Sequence, residues 1–131
     1  MIRAMRALIT GINGFVGSYL AEYLLAEGRH EVWGMTRAPG RLPAFLQGRV
    51  TEVHADLSDA EATMRAIVAA RPSVIYHLAG QPFVPESFRD PAGTLSTNTL
   101  GALHIFLSLI ELRSPARVLV VGTNEEYGKI T

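Results

Sequence analysis

The glycines of Thr10-Gly11-Ile12-Asn13-Gly14-Phe15-Val16-Gly17 stand three residues apart, after the apolar run Ala7-Leu8-Ile9 and before an amphipathic stretch, Ser18 to Glu27. That order reads as strand, turn and helix start, the setting in which a chain binds the pyrophosphate of a dinucleotide. A glycine at the turn takes up backbone angles that other residues avoid. Glycines nearer the helix let the pyrophosphate approach the backbone and let helix and strand pack closely. The helix N-terminus offers free N–H groups and the positive end of its dipole to the phosphates. A glycine triplet alone also fits a turn that holds no ligand. The βαβ pattern that continues through the chain argues for the site.

A second element of that chemistry lies at the end of the next strand, Val32-Trp33-Gly34-Met35-Thr36-Arg37. An acidic residue there binds the adenosine ribose and favours NAD. Thr36 takes its place and Arg37 follows. A guanidinium pairs with a 2′-phosphate, which favours NADP, with NAD as the alternative if Arg37 is only a solvated loop charge. His30, His54, His77 and His104 show no ligand spacing, so no metal site is expected. His104 reads as a packed helix residue and Trp33 as core.

Composition bounds the rest. The chain has 131 residues, 48% hydrophobic and 18% charged, which fits one globular domain with a real core. Formal charge is zero and no basic stripe is present, which argues against nucleic acid as a partner. Cysteine is absent, so disulfides, thiol catalysis and cysteine-type zinc sites are excluded. Met1 to Arg6 is too short and too basic for a signal sequence, and no apolar run approaches the roughly 20 residues of a membrane span. A cytoplasmic protein is expected.

Alternation of apolar and turn residues predicts the elements that must position these groups. Strands are expected at Arg6–Thr10, Glu31–Thr36, Val50–His54, Val74–His77 and Arg117–Val121. The first helix is expected over Gly14–Glu27, with Val16, Leu20 and Leu24 inward and Gly28 as its stop. A capping box at Ser58-Asp59-Ala60-Glu61 predicts a helix from Asp59, with Met64, Ile67 and Val68 inward and its end at Pro72. Gln81 to Asp90 is expected to be a loop. Pro91 to Arg113 is expected to be one long helix, apolar nearly all round. Such an order gives an α/β, Rossmann-type doubly wound parallel sheet of order 3-2-1-4-5. A ligand then lies between strands 1 and 4, flanked by the glycine turn and by His77 to Gln81.

The residues Thr10-Gly11-x-x-Gly14-Phe15-x-Gly17, Asp56-Leu57, His77-Leu78-Ala79-Gly80-Gln81, Ser96-Thr97-Asn98 and Gly122-Thr123-Asn124-Glu125-Glu126-Tyr127-Gly128 together resemble the extended short-chain dehydrogenases that modify nucleotide sugars. The resemblance covers essentially the whole chain. Gly93-Thr94-x-Ser96-Thr97-Asn98-x-x-Gly101-x-Leu103-His104 is most similar to reductases of GDP-4-keto-6-deoxymannose, and Thr123-x-Glu125 also to GDP-mannose 4,6-dehydratases. The resemblance implies cofactor contacts at Gly11, Asn13, Gly14, Phe15, Val16, Gly17, Thr36, Arg37, Asp56, Leu57, Leu78, Ala79, Gly80 and Asn98. It places Asp56 at the adenine amino group, although a turn residue before Ser58 would look the same. It implies Thr123 as the group that orients the sugar C4 hydroxyl and Glu125 as acid/base. From position alone these two also fit an ordinary strand-end turn. Substrate contacts are expected from Gln81 and Ser87, which follow strand 4 on the ligand side.

One departure matters. The family's Tyr-x-x-x-Lys motif does not occur, because Tyr127 is followed by Gly128-Lys129-Ile130-Thr131. Residues 1–131 are therefore expected to be the dinucleotide-binding domain at the start of a larger enzyme, inactive alone. A cofactor-sensing module without catalysis is the competing reading. The substrate is expected to be a nucleotide sugar, most simply a GDP-sugar, and the family implies a homodimer through the helix 91–113.

Overall fold

A computed structural model describes residues 4–80, 83–122 and 127–128. The elements are β1 (Met5–Thr10), α1 (Phe15–Glu27), β2 (His30–Thr36), a 3-10 turn (Ala44–Leu46), β3 (Thr51–His54), α2 (Ala60–Ala70), β4 (Val74–His77), α3 (Val84–Arg89), α4 (Pro91–Leu95), a π-helical turn (Ser96–Leu100), α5 (Gly101–Glu111) and β5 (Arg117–Val120). The five strands form one parallel sheet in the order β3-β2-β1-β4-β5, the predicted order. The chain leaves β1 leftward to β2 and β3 and returns to β4, so β1 and β4 flank the point where the winding reverses.

Each sheet face has its own core. Ala7, Ile9 and Val32 pack with Ala21 and Leu24 of α1, and Leu42 and Leu46 close that layer. Leu8, Met35 and Ile75 pack with Ala66, Ile67 and Ala70 of α2 and with Ile105 and Leu109 of α5. Ala7, Leu8 and Ile9 are fully buried, as expected of a central parallel strand covered on both faces.

Helix faces differ from the periodicity reading. Gly17, Ser18, Ala21 and Leu24 face inward on α1, while Val16 is 61% exposed. Small residues face the sheet there because the helix start lies almost on the glycine turn, and a Cβ on Gly17 would overlap the Gly11 carbonyl oxygen. Gly28 does end the helix, with φ 69° and its N–H donating to the Leu25 carbonyl.

On α2 the cap is Asp59, whose carboxylate accepts the Ala62 N–H at 3.0 Å, and the helix begins at Ala60. Ser58 does not cap, because its N–H and hydroxyl both donate to Asp56 Oδ1. Thr63, Ala66, Ile67 and Ala70 face inward and Val68 points out, 48% exposed. Arg71 closes the helix in the left-handed region, one residue before Pro72.

The segment expected as a loop after β4 contains α3, started by Pro85 in its first turn. Asp90 then caps α4 by accepting the Gly93 N–H at 2.9 Å. The predicted long helix is helical from Pro91 to Glu111, but the π turn at Ser96–Leu100 interrupts it. One stripe of α5, Gly101, Ile105, Ser108 and Leu109, is buried, whereas Leu103, Phe106, Leu107 and Ile110 are exposed. Trp33 is only partly buried. Its Nε1–H donates to Glu31 at 2.9 Å and Arg6 lies 5.4 Å above its ring.

These faces separate two residues that sequence periodicity treats alike. Ile67→Ala should lower unfolding free energy by about 2–5 kcal/mol, since it opens a cavity in a closed core. Val68→Ala should change it by no more than about 0.5 kcal/mol. Urea denaturation of both variants checks the assignment, and equal losses would contradict it.

Candidate functional site

The glycine turn is held by contacts that leave no room for side chains. Gly11 has φ 71°, and a Cβ there would lie 2.8 Å from the Ala79 nitrogen. Ile12, fully buried, drops into the core on the α1 face, where a Cβ on Gly34 would lie 2.6 Å from its Cδ1. The turn is thus pinned to β4 on one side and to β2 beneath it. At Gly14, the residue before α1, a Cβ would meet only the Gly11 carbonyl at 3.2 Å. Among the described residues no side chain caps α1, and its first turn holds no acid. The helix start therefore presents unpaired N–H groups and a positive dipole end.

That helix start opens into a cavity of about 660 Å³ along the carboxyl ends of β1 to β4. Thirteen of the residues singled out from the sequence line it: Gly11, Asn13, Gly14, Phe15, Val16, Gly17, Thr36, Arg37, Asp56, Leu57, Leu78, Ala79 and Gly80. Asn98 does not line it, but its Oδ1 lies 3.1 Å from where a Gly80 Cβ would stand, directly behind the wall. Ser87 is in α3 and away from the cavity, its hydroxyl donating to the Val84 carbonyl at 2.6 Å. Gln81, Thr123 and Glu125 lie outside the described residues. A second hollow, on the outer face of α1 among Phe15, Tyr19 and Tyr23, is apolar and open and offers nothing to a phosphate.

Six lining residues were not expected as contacts: Met35, Arg41, Ala55 and Ser58, with Thr10 and Thr97, which stand within the motifs of the family. Arg41 lies in the loop after β2 and gives the cavity a second arginine in addition to Arg37. Thr97 reaches the wall from the π turn, a helix defect often found at functional sites.

The β2 end is more crowded than its sequence suggests. Thr36 is 3% exposed, and its Oγ1 lies 2.7 Å from Glu52 Oε1, 3.0 Å from His54 Nδ1 and 3.1 Å from the Ala38 carbonyl. The hydroxyl has one proton, and the carboxylate at 2.7 Å is its strongest acceptor. Thr36 thus brings in Glu52 from β3, a carboxylate that pattern reading could not place beside it. Asp56 sits next in the wall. The Ser58 N–H and then the Ser58 hydroxyl hold its carboxyl below the usual carboxylate range, against a smaller opposing effect of burial, and Arg37 adds attraction. Both Ser58 bonds fall on Oδ1, so the second oxygen is spared. His104 is more than packing, because its Nδ1–H donates to the Leu57 carbonyl at 2.6 Å and fixes the wall at that point.

The arrangement can hold an extended anionic ligand: phosphates on the helix start, a polar adenosine-sized end at Asp56, Arg37 and Arg41, and backbone around Leu78 to Gly80. Among the described residues no cluster of histidine and carboxylate has metal-binding geometry, and no helix is long and apolar enough to cross a membrane.

Comparison with known proteins agrees with this geometry. The family model for GDP-mannose 4,6 dehydratase matches residues 8–131. The chain is 33% identical over 125 residues to GDP-6-deoxy-D-mannose reductase of Pseudomonas aeruginosa, covering 95% of this chain and 36% of that protein. It is 32% identical over 141 residues to GDP-mannose 4,6-dehydratase of Vibrio cholerae, covering 95% and 37%. The chain thus spans just over a third of the length of these relatives. Among solved structures, UDP-glucose 4-epimerase of Thermus thermophilus in complex with NAD superposes with a TM-score of 0.72 at 32% identity, covering 84% of this chain and 35% of that one. The UDP-glucose 4-epimerase of Brucella ovis, at 21% identity and a TM-score of 0.83 over 98% of this chain and 38% of that one, shares the fold. With a family match over nearly its whole length and a glycine-turn cavity at the switch point of the sheet, the chain belongs to the GDP-mannose 4,6-dehydratase family of Rossmann-fold proteins.

Proposed function

We propose that this chain is the cofactor-binding part of an NAD(P)-dependent nucleotide-sugar enzyme that transfers hydride at the sugar C4, acting as a reductase of a GDP-4-keto-6-deoxy sugar. One observation carries the reading: the uncapped start of α1 opens, at Gly14, into a cavity lined by the motif residues of the family. A carboxylate or a bulky residue at Gly14 would bar a pyrophosphate, and neither is present. In this reading the N–H groups of the first turn of α1 hold the pyrophosphate. Asp56 accepts from the adenine amino group through its spared oxygen. Arg37, together with Arg41, receives a 2′-phosphate. The bound nicotinamide supplies the hydride chemistry. Thr123 orients the C4 oxygen and Glu125 exchanges its proton, while Gln81 and Ser87 contact the sugar nucleotide.

The dehydratase reading has its own support, since the family model and the Vibrio relative are GDP-mannose 4,6-dehydratases. Both activities use the same cofactor site. They separate on product analysis with a GDP-sugar, where a reductase consumes reduced cofactor and a dehydratase does not.

Gly14→Val in the intact protein should weaken cofactor binding by more than about tenfold, at least about 1.4 kcal/mol. Calorimetry decides, and unchanged affinity would remove the phosphates from this turn. The wild type should prefer NADP to NAD, and Arg37→Ala should narrow the gap. The same titrations would reverse that assignment if NAD bound more tightly, as they would if Glu52 and Asp56 set the charge at the β2 end. The exposed stripe of α5, Leu103, Phe106, Leu107 and Ile110, is proposed as a homodimer surface, because apolar patches beyond several hundred Å² are uncommon on soluble monomers. Light scattering should find a dimer or larger species, and a monomer at high concentration would overturn this.

A further inference from the structure

Under the glycine turn lies a buried polar contact that the reading above does not use. His77 ends β4 and is 4% exposed. Its Nδ1 lies 2.7 Å from Oγ1 of Thr10, the last residue of β1. The same oxygen accepts the Ala79 N–H at 3.1 Å. One lone pair of the hydroxyl is thereby taken, and among the described residues Nδ1 is the acceptor offered to its proton. That assignment makes the imidazole neutral, with its proton on Nε2. Burial favours the same form, since desolvation pushes His77 below the ordinary 6.5.

The contact joins the two strand ends that bracket the ligand cavity. Thr10 and His77 are register partners in β1 and β4. Thr10 and Ala79 both line the cavity, and Gly11, next to Thr10 in the chain, has no slack against Ala79. A change at Nδ1 is therefore felt at the wall.

We propose that His77 is a positioning residue of the cofactor site: as a neutral acceptor for the Thr10 hydroxyl, it fixes the gap between the glycine turn and Leu78-Ala79-Gly80 in which a dinucleotide lies. The proposal rests on the dinucleotide reading of the cavity. When His77 gains a proton, Nδ1 turns from acceptor to donor. The Thr10 hydroxyl proton then loses its partner, and an unsolvated cation sits beneath the turn. Water must reach it, and the turn opens to admit it.

The ionisable groups on the elements around His77, among the described residues, include Tyr76 of β4, His54 at the end of β3, Asp56 in the loop after it, and His104 of α5, whose Glu111 lies at the far end of that helix. His104 is tied to the Leu57 carbonyl, and Asp56 is kept anionic by Ser58. Arg6 on β1 and Arg117 on β5 lie at the far ends of their strands. His54 stands at the same end of the sheet, bonded to Thr36 in the cavity wall, so the part of the pH response that belongs to His77 is the part lost in His77→Asn.

The test is a calorimetric titration of the intact protein with NAD from about pH 8 to about pH 5. NAD is the probe because a phosphomonoester such as the 2′-phosphate of NADP itself titrates near 6. The folded imidazole is neutral above its depressed value, so affinity should be level near neutrality. It should fall by about tenfold or more as pH drops through that value, below 6.5. His77→Phe and Thr10→Val should weaken NAD at neutral pH by about tenfold. His77→Asn, which keeps an acceptor that does not titrate, should rescue binding and abolish the acid fall, and Thr10→Ser should rescue Thr10→Val. Nitrogen-15 NMR of the wild-type imidazole needs no variant and should find Nε2 protonated and Nδ1 bare. A proton on Nδ1, the same pH profile in wild type and His77→Asn, or affinity that rises on acidification would each overturn the proposal while leaving the dinucleotide site standing. If the wild type binds no NAD or NADP at any pH, the dinucleotide reading fails and the proposal with it.

Discussion

Backbone meets backbone at the glycine turn, and the rest of the architecture is arranged so that it can. A Cβ at Gly11 would lie 2.8 Å from the Ala79 nitrogen, and one at Gly17 would overlap the Gly11 carbonyl. Overpacking at such contacts costs about 1–3 kcal/mol through displaced backbone. The closeness brings the start of α1 to the mouth of the sheet between β1 and β4. It also explains why α1 turns Gly17, Ser18 and Ala21 to the sheet and leaves Val16 in the cavity wall. Gly34 in β2 belongs to the same constraint, since its missing side chain is the space that Ile12 fills.

Charge at the β2 end works differently from what a single substituted position suggests. Thr36 in place of an acid removes a carboxylate from β2, but Glu52 of β3 returns one to the Thr36 hydroxyl. Arg37 and Arg41 stand on the other side of the balance, and Asp56 draws on Arg37. Two arginines and one carboxylate therefore line this end of the cavity, with Glu52 bonded to Thr36 behind them. Both guanidinium-bearing residues are exposed, whereas the Glu52 carboxylate is partly buried under Thr36.

The strand order and the glycine turn were legible because they rest on local signals. Ala7-Leu8-Ile9 is continuously apolar, Gly28 stops α1, and the strands alternate with helices at short spacing. The inward faces of α1 and α2 were legible only in part: Leu24 and Ile67 are buried as expected, Val16 and Val68 are not. Periodicity ranks Val16 and Val68 as core by hydrophobicity, whereas the close approach of helix and sheet selects small residues, Gly17 and Ala21 on one helix and Thr63, Ala66 and Ala70 on the other. Ser58 looked like a cap because a capping box is a spacing pattern, and spacing cannot show that Asp56 captures its hydroxyl first. α3 escaped notice because six residues carry too little periodicity to stand out from a loop. Arg41 and Glu52 reach the site or its edge only through tertiary contacts. No neighbour in sequence announces them.

Stability and site shape are carried by different interactions. The two apolar layers hold the sheet, but none of their fully buried leucines or isoleucines lines the cavity. The wall is shaped by a few hydrogen bonds that tie loops at strand ends: Thr10 to Ala79, Asp56 to Ser58, His104 to Leu57. Each is worth only about 0.5–1.5 kcal/mol to folding. Losing one leaves the sheet intact and changes where a wall residue stands. Ligand binding is sensitive to such shifts, since a misplaced donor no longer meets a phosphate or an amino group. Polar residues just behind the wall, His77 and His104 above all, therefore act on binding more than on folding, and substitutions there should separate the two.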